Sequence, residues 1–174
     1  LDYFEDDDTP VIVLELYDRS LWAELREREI NRSPGREELF SEKELGQILF
    51  DISKGLSFIH YHGMVHHDIK PENILLKQKK DGGIHYALSD FGITKKIKHT
   101  IIRKTTQSSG VSLTIQYSSP ERLRGISKNI PNSDIFSLGS TIYELTGTKT
   151  EVPLGTILNN NGEIPEFNGS YSDE

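Results

Sequence analysis

The sequence predicts an α+β fold, a strand hairpin leading into a mainly helical body, and three observations predict it. An acidic turn near the start is followed by the β-branched and aliphatic run Val11-Ile12-Val13-Leu14. Leu45, Ile48, Leu49, Ile52, Leu56 and Ile59 recur at three- and four-residue steps, as one face of a long helix requires. Ile135, Leu138, Ile142 and Leu145 repeat that spacing near the end of the chain. A length of 174 residues favours one compact domain, and a 34% hydrophobic share is enough to build its core.

In chain order, residues 1–17 read as a hairpin, with Leu1 to Phe4 as one arm, the turn at Asp6-Asp7-Asp8, and the run from Val11 to Tyr17 as the other. A short helix follows over residues 20–30, with Ser20 as its cap, and then a loop through Pro34-Gly35. The strongest helix begins at Ser41, where Ser41 and Glu44 have capping-box spacing, and it ends near Gly63. Short strands are expected around Met64-Val65 and Ile74-Leu75-Leu76, then a turn at Lys79 to Gly83 and a strand from Ile84 to Leu88. Residues 93–113, polar and weakly periodic, read as a long loop, of the kind that in compact domains is usually functional or mobile, and the second helix runs from about Ser133 to Thr146.

Charge and composition exclude several function classes. With 20 Lys+Arg against 27 Asp+Glu the net charge is -7, so a general nucleic-acid or anionic-membrane binder, which needs a basic face, is not expected. Lys95-Lys96-Ile97-Lys98 with Arg103-Lys104 is the most basic stretch, but it lacks the interleaved aromatics of a nucleic-acid groove. No cysteine is present, which excludes disulfides, thiolate metal sites and a Cys nucleophile. No apolar run is long enough for a spanning helix and the first residues lack a signal-peptide pattern, so an intracellular setting, cytoplasmic or nuclear, is expected. The chain opens on Leu1 in strand-like sequence and is read as a piece of a longer protein.

Three short motifs carry the chemistry. Residues 66–73 read His66-His67-Asp68-Ile69-Lys70-Pro71-Glu72-Asn73, directly after the long helix; Asp90-Phe91-Gly92 closes a later strand; Ser119-Pro120-Glu121 follows the polar loop. In this order and context they closely resemble the protein-kinase set of a catalytic loop, a D-F-G turn and an A-P-E segment. The resemblance covers nearly the whole chain. It implies a partial protein-kinase-like fold, with residues 1–17 as the end of the smaller lobe and the hinge. Residues 18–174 would then be the helical lobe, incomplete at its C-terminal end.

Phosphoryl transfer passes through a loose transition state, so positioning and charge neutralisation dominate, and the residue types at these positions suit that task. The carboxylate of Asp68 can orient a substrate hydroxyl and accept its proton, while Lys70 can set an ammonium against the transferring phosphate. Asn73 and Asp90 supply hard oxygens for Mg²⁺, which ties them to the phosphates of ATP. The resemblance further implies that Leu14 is the gatekeeper, that Glu15 and Tyr17 meet adenine through backbone groups, and that Leu75 lies under the adenine ring. Lys70 together with Thr114 implies a Ser/Thr-directed protein kinase acting on protein substrates, with dual specificity left open. Asp134 resembles the buried family aspartate that hydrogen-bonds the catalytic loop.

The sequence departs from the family pattern in two places. His67 stands where most members have Arg, so a phosphate on the loop, at Thr105, Thr106, Ser108 or Ser109, meets a neutral imidazole instead of a guanidinium. The glycine-rich loop, the strand Lys and its Glu partner would precede Leu1, and the usual Arg partner of Glu121 would follow the chain. The 174-residue piece alone is therefore expected to bind ATP poorly. His60, His62, His66 and His67 invite a metal reading, but their spacing favours packed or hydrogen-bonded histidines. The alternative function is a non-catalytic, pseudokinase-like binding module; retention of Asp68, Lys70, Asn73 and Asp90 argues for the enzyme. Tyr17-Asp18-Arg19-Ser20-Leu21, the Asp134 helix and Asn161-Gly162-Glu163-Ile164-Pro165 faintly resemble Wee-type kinases.

Overall fold

A computed structural model describes residues 2–6, 9–34, 38–90, 115–125, 131–148, 152–166 and 171. The expectations for Phe91, Gly92, Thr114, the basic stretch and the loop of residues 93–113 lie outside those residues.

The opening hairpin is an antiparallel pair, β1 (Asp2–Asp6) and β2 (Thr9–Val13), in the register that sets Phe4 opposite Val11. The second arm was expected to reach Tyr17, but it ends at Val13, and residues 14–17 are irregular. That segment instead docks on a second sheet, where the Asp18 N–H donates to the Leu76 carbonyl at 3.0 Å. The second sheet has three antiparallel strands in spatial order: β3 (Arg19–Ser20), β4 (Ile74–Gln78) and β5 (Ile84–Leu88). In its register Leu75 lies between Ser20 and Ala87, and Leu76 lies between Arg19 and Tyr86.

Helix α1 (Leu21–Ile30) starts where Ser20 Oγ accepts the Ala23 N–H, the cap expected of that serine. Helix α2 (Glu42–Tyr61) starts in a complete capping box between Ser41 and Glu44. Arg28 joins the two helices. Its guanidinium pairs with Glu24 at 2.8 Å and Glu44 at 2.7 Å, donates to the Leu39 carbonyl at 2.9 Å, and lies 4.0 Å from the centre of the Phe40 ring. Burial works against ionising Glu44, but Arg28 and the Ser41 amide and hydroxyl outweigh it and lower its pKa from 4.5 to about 2.

The core lies between α2, α1 and the three-stranded sheet. Ile48, Ile52 and Leu56 pack with Leu21, Leu25, Phe40, Ile69, Ile74 and Leu76. Leu49, counted in the predicted stripe, is 46% exposed, because it sits one residue, about 100° of helix, past Ile48 and falls off the buried face. Asp51 fastens α2 to β5 by accepting the Tyr86 N–H at 3.0 Å and facing His85 Nδ1 at 3.2 Å.

Three helices complete the described body: α3 (Pro120–Leu123), α4 (Pro131–Leu145) and α5 (Leu154–Asn159). The sequence reading had missed β3, α3 and α5, all too short to show a hydrophobic period. Of the stripe expected on α4, Leu138 and Leu145 are buried in the core and Ile142 packs against it, but Ile135 falls off that face. Ile135 is 53% exposed, whereas Ser133, Asp134, Ser137 and Thr141 are buried. Beside the apolar positions these polar residues form a hydrogen-bonding rail: Ser137 Oγ donates to the Tyr117 carbonyl at 2.7 Å, and Asp134 reaches the loop after α2.

Candidate active site

The chain leaves α2 at a turn in which Gly63 has φ 69, a left-handed conformation that glycine adopts without a Cβ clash. Residues 64–69 have no regular structure, so the strand expected at Met64-Val65 does not form. The reason is where their amides go. The His66 and His67 N–H groups donate to Asp134 Oδ2 and Oδ1, each at 2.8 Å, so a side chain takes the place of a strand partner. His60, at the end of α2, sets its Nε2 2.8 Å from the same Asp134 Oδ2. Asp134 is 0% exposed, and the role inferred for it by resemblance corresponds to this geometry.

The segment that follows folds tightly around Asp68. Pro71 opens a single 3₁₀ turn, Pro71–Asn73, where its missing N–H costs nothing, and the Asn73 N–H closes back on the Lys70 carbonyl at 3.0 Å. Asp68 and Asn73 are both only 7% exposed. The Asn73 amide nitrogen donates to the Asp68 carbonyl and to Asp68 Oδ2, each at 2.8 Å, and Lys70 Nζ reaches the same Oδ2 at 2.8 Å. Three of the predicted residues thus form one charged, hydrogen-bonded knot.

Asp90 belongs to the same place. The residue before it, Ser89, donates its N–H to the Asn73 carbonyl at 2.9 Å and its hydroxyl to that carbonyl at 3.1 Å. The Ser89 carbonyl in turn accepts from His66 Nε2 at 3.0 Å. Asp90 is exposed and has φ 59, so the backbone turns sharply at its carboxylate. The 66–73 and 89–90 turns are therefore bound to each other through Ser89 and the Asn73 carbonyl.

The oxygens of Asn73 and Asp90 fit a hard divalent cation. With its nitrogen held by Asp68, Asn73 has its amide oxygen left for a metal, and Asp90 adds a carboxylate, the kind of sparse oxygen set on which Mg²⁺ relies when substrate phosphates complete its shell. Among the described residues no cluster of three His, Asp or Glu side chains forms a metal cage. The histidines have other tasks: His60 meets Asp134, His62 Nδ1 meets the Phe58 carbonyl at 2.8 Å, and His66 meets Ser89.

Glu15, Tyr17 and Leu75 gather along one side of β4. Lys77, two residues after Leu75, pairs with Glu15 at 2.6 Å and lies 5.8 Å from the centre of the Tyr17 ring. Leu75 alternates with the buried Ile74 and Leu76, so it faces the side that carries Lys77. Leu14 is largely exposed.

Sequence reasoning missed the supports from α3. Ser133 Oγ donates to Glu121 Oε1 at 2.8 Å and receives Ser119 Oγ at 3.1 Å, so hydroxyls attend Glu121 within the described residues. Burial raises the Glu121 pKa, but its own backbone N–H and these hydroxyls outweigh that, and the carboxyl ends below its usual range. Arg122 Nη1 donates to the His67 carbonyl. Tyr117 donates its hydroxyl to Glu144, whose pKa burial pushes up. Lone serines and a single arginine leave no pattern in a sequence, which is why these contacts were not legible.

The chain is similar to known proteins. A family model described as a protein kinase domain matches residues 1–163. Serine/threonine-protein kinase PknB of Mycolicibacterium smegmatis is 39% identical over 102 residues, which is 58% of this chain and 15% of that protein. Dual specificity mitogen-activated protein kinase kinase 1 of Dictyostelium discoideum is 39% identical over 101 residues, 58% of this chain and 14% of that protein. A Wee1-like protein kinase of Oryza sativa subsp. japonica is 37% identical over 99 residues, 57% of this chain and 17% of that protein. The chain thus spans well under a quarter of the length of these three relatives.

Proposed function

This chain belongs to the protein kinase domain family, and on that premise we propose that the protein is an ATP-dependent protein kinase that transfers the γ-phosphate to Ser or Thr hydroxyls of protein substrates. The observation that carries the proposal is the junction of two turns: Asp68, Lys70 and Asn73 share one hydrogen-bonded knot, and Ser89 fastens Asp90 to it. Lys70 supports a Ser/Thr preference by resemblance, and dual-specificity relatives make Tyr transfer the competing outcome.

In this reading Asp68 Oδ2 is occupied by Lys70 and Asn73, and Oδ1 is the oxygen offered to the substrate hydroxyl. The hydroxyl oxygen bonds to the γ-phosphorus as the bond to the β,γ-bridging oxygen breaks. ADP departs with that electron pair, and the hydroxyl proton passes to the Asp68 carboxylate. Lys70 holds Asp68 in place and brings a positive charge to the transferring group. Asn73 and Asp90 would hold Mg²⁺, which neutralises phosphate charge when bound. Leu75 and the backbone of Glu15 and Tyr17 are assigned to adenine.

The test is phosphate transfer from ATP to Ser-, Thr- and Tyr-containing peptides by the full-length protein, with Asp68→Asn beside it. Asp68→Asn is expected to lower kcat by about 10²–10⁴-fold, the range of a lost general base. Unchanged turnover removes the assignment of Asp68; ATP binding without any transfer by the parent protein favours the non-catalytic module.

A further inference from the structure

His67 has φ 70, the left-handed region that a residue with a Cβ rarely adopts. Such a turn persists only where its surroundings hold it, and here both of its peptide groups are held. On one side the His67 N–H donates to Asp134 Oδ1 at 2.8 Å. On the other, its carbonyl accepts from Arg122 Nη1. That carbonyl belongs to the peptide plane entering Asp68, whose N–H faces His66 Nδ1 at 3.4 Å. With that plane gripped at its oxygen by a guanidinium, and the plane after Asp68 held where the Asn73 amide donates to the Asp68 carbonyl at 2.8 Å, the backbone on both sides of the Asp68 Cα is set, and with it the direction in which its Cα–Cβ bond leaves. That bond carries the carboxylate.

The two clamps are tied to each other. Ser133, the residue before Asp134, donates to Glu121, the residue before Arg122. Helix α3 therefore carries Arg122 in a fixed relation to the helix that carries Asp134. Burial lowers the Arg122 pKa, and the carboxylates of Asp134, Asp68 and Glu121 offset only part of that, but a guanidinium's ordinary value is so high that it stays charged. The position that resembles the family's Arg is a histidine, at His67, and a cation reaches that same residue from α3 instead.

We propose that Arg122 is a positioning residue for phosphate transfer: by holding the His67 carbonyl it sets the orientation of Asp68. This rests on the kinase reading, since the orientation matters for turnover only if Asp68 serves the reaction. A misplaced catalytic group costs up to about a hundredfold in rate while substrate contacts are untouched, which separates this role from a general loss of fold.

The experiment compares the full-length protein with Arg122→Met and Arg122→Lys. The expected result is a fall in kcat of about ten- to a hundredfold for Arg122→Met and a smaller fall for Arg122→Lys, with KM for ATP and peptide within about twofold of the parent. Hydrogen–deuterium exchange supplies a second readout that needs no turnover. Amides of residues 66–70 are expected to exchange faster in Arg122→Met, while those in the middle of α2 keep the parent's protection. If Arg122→Met is not recovered folded, Arg122→Lys decides alone by the same two readouts. Parent-like kcat, a loss shared between kcat and KM, or unchanged exchange at 66–70 overturns the proposal. If the parent itself transfers no phosphate, the kinase reading fails and exchange alone reports whether Arg122 holds the turn, unchanged exchange again overturning the clamp.

Discussion

The carboxylate of Asp134 accepts the backbone N–H of His67 at 2.8 Å, joining residues 67 positions apart across the interior of the domain. The same carboxylate accepts the His66 N–H and faces the His60 ring, so one buried side chain satisfies two amides of a loop that has no strand to pair with. Asp134→Asn turns an amide NH₂ toward donors that need acceptors, and at least one buried N–H goes unmet. The cost is about 1–3 kcal/mol, the penalty of an unsatisfied buried donor. Thermal unfolding of the parent and Asp134→Asn proteins checks it, with Tm expected to fall by several degrees.

Glu44 gives the fold a dependence on acid. Its folded pKa of about 2 lies below its ordinary value of 4.5, so its contribution is fully present above about pH 4.5 and is lost as the pH falls through about 2. Glu44→Gln keeps a hydrogen-bonding partner for Ser41 but gives up the charge facing Arg28. Near pH 7 it is expected to destabilise by about 0.5–1 kcal/mol, the discounted worth of a partly exposed pair. Urea midpoints measured at about pH 7 and about pH 3 test this, with the gap between parent and variant narrower in acid.

Gly155 is held small by its neighbour. A Cβ at that position would lie 2.1 Å from the Ser118 carbonyl oxygen, backbone that cannot swing aside. Gly155→Ala is therefore expected to push α5 away from the Ser118-Ser119-Pro120 segment at a cost of about 1–3 kcal/mol. A lowered Tm, accompanied by faster exchange at residues 117–123, is the expected measurement; a parent-like Tm contradicts the close approach.

Some of this was legible without coordinates because it is local. Ser41 and Glu44 announce the start of α2 by a spacing of three residues, and Ile48, Ile52, Leu56 and Ile59 announce its buried face. Leu49 and Ile135 show the limit of that signal: a period gives a face about a hundred degrees wide, and only the neighbours decide where its edge falls. In α4 Leu138 and Leu145 reached the apolar core, but the first turns met backbone amides and carbonyls, so Ser133, Asp134 and Ser137 were buried and Ile135 was left outside.

The sequence by itself determined the inventory of the candidate site, since Asp68, Lys70, Asn73 and Asp90 stand in two short motifs whose residue types already imply oxygen donors and a cation. What only the tertiary structure decided was how those groups are aimed: Ser89 bonding Asn73, Asp134 taking the His66 and His67 amides, and Arg122 taking the His67 carbonyl. The physical reason is range. Capping, turn chemistry and helical period act over a few residues and leave a pattern along the chain, whereas a hydrogen bond between residues 67 and 134 leaves none until the core has brought its two ends together.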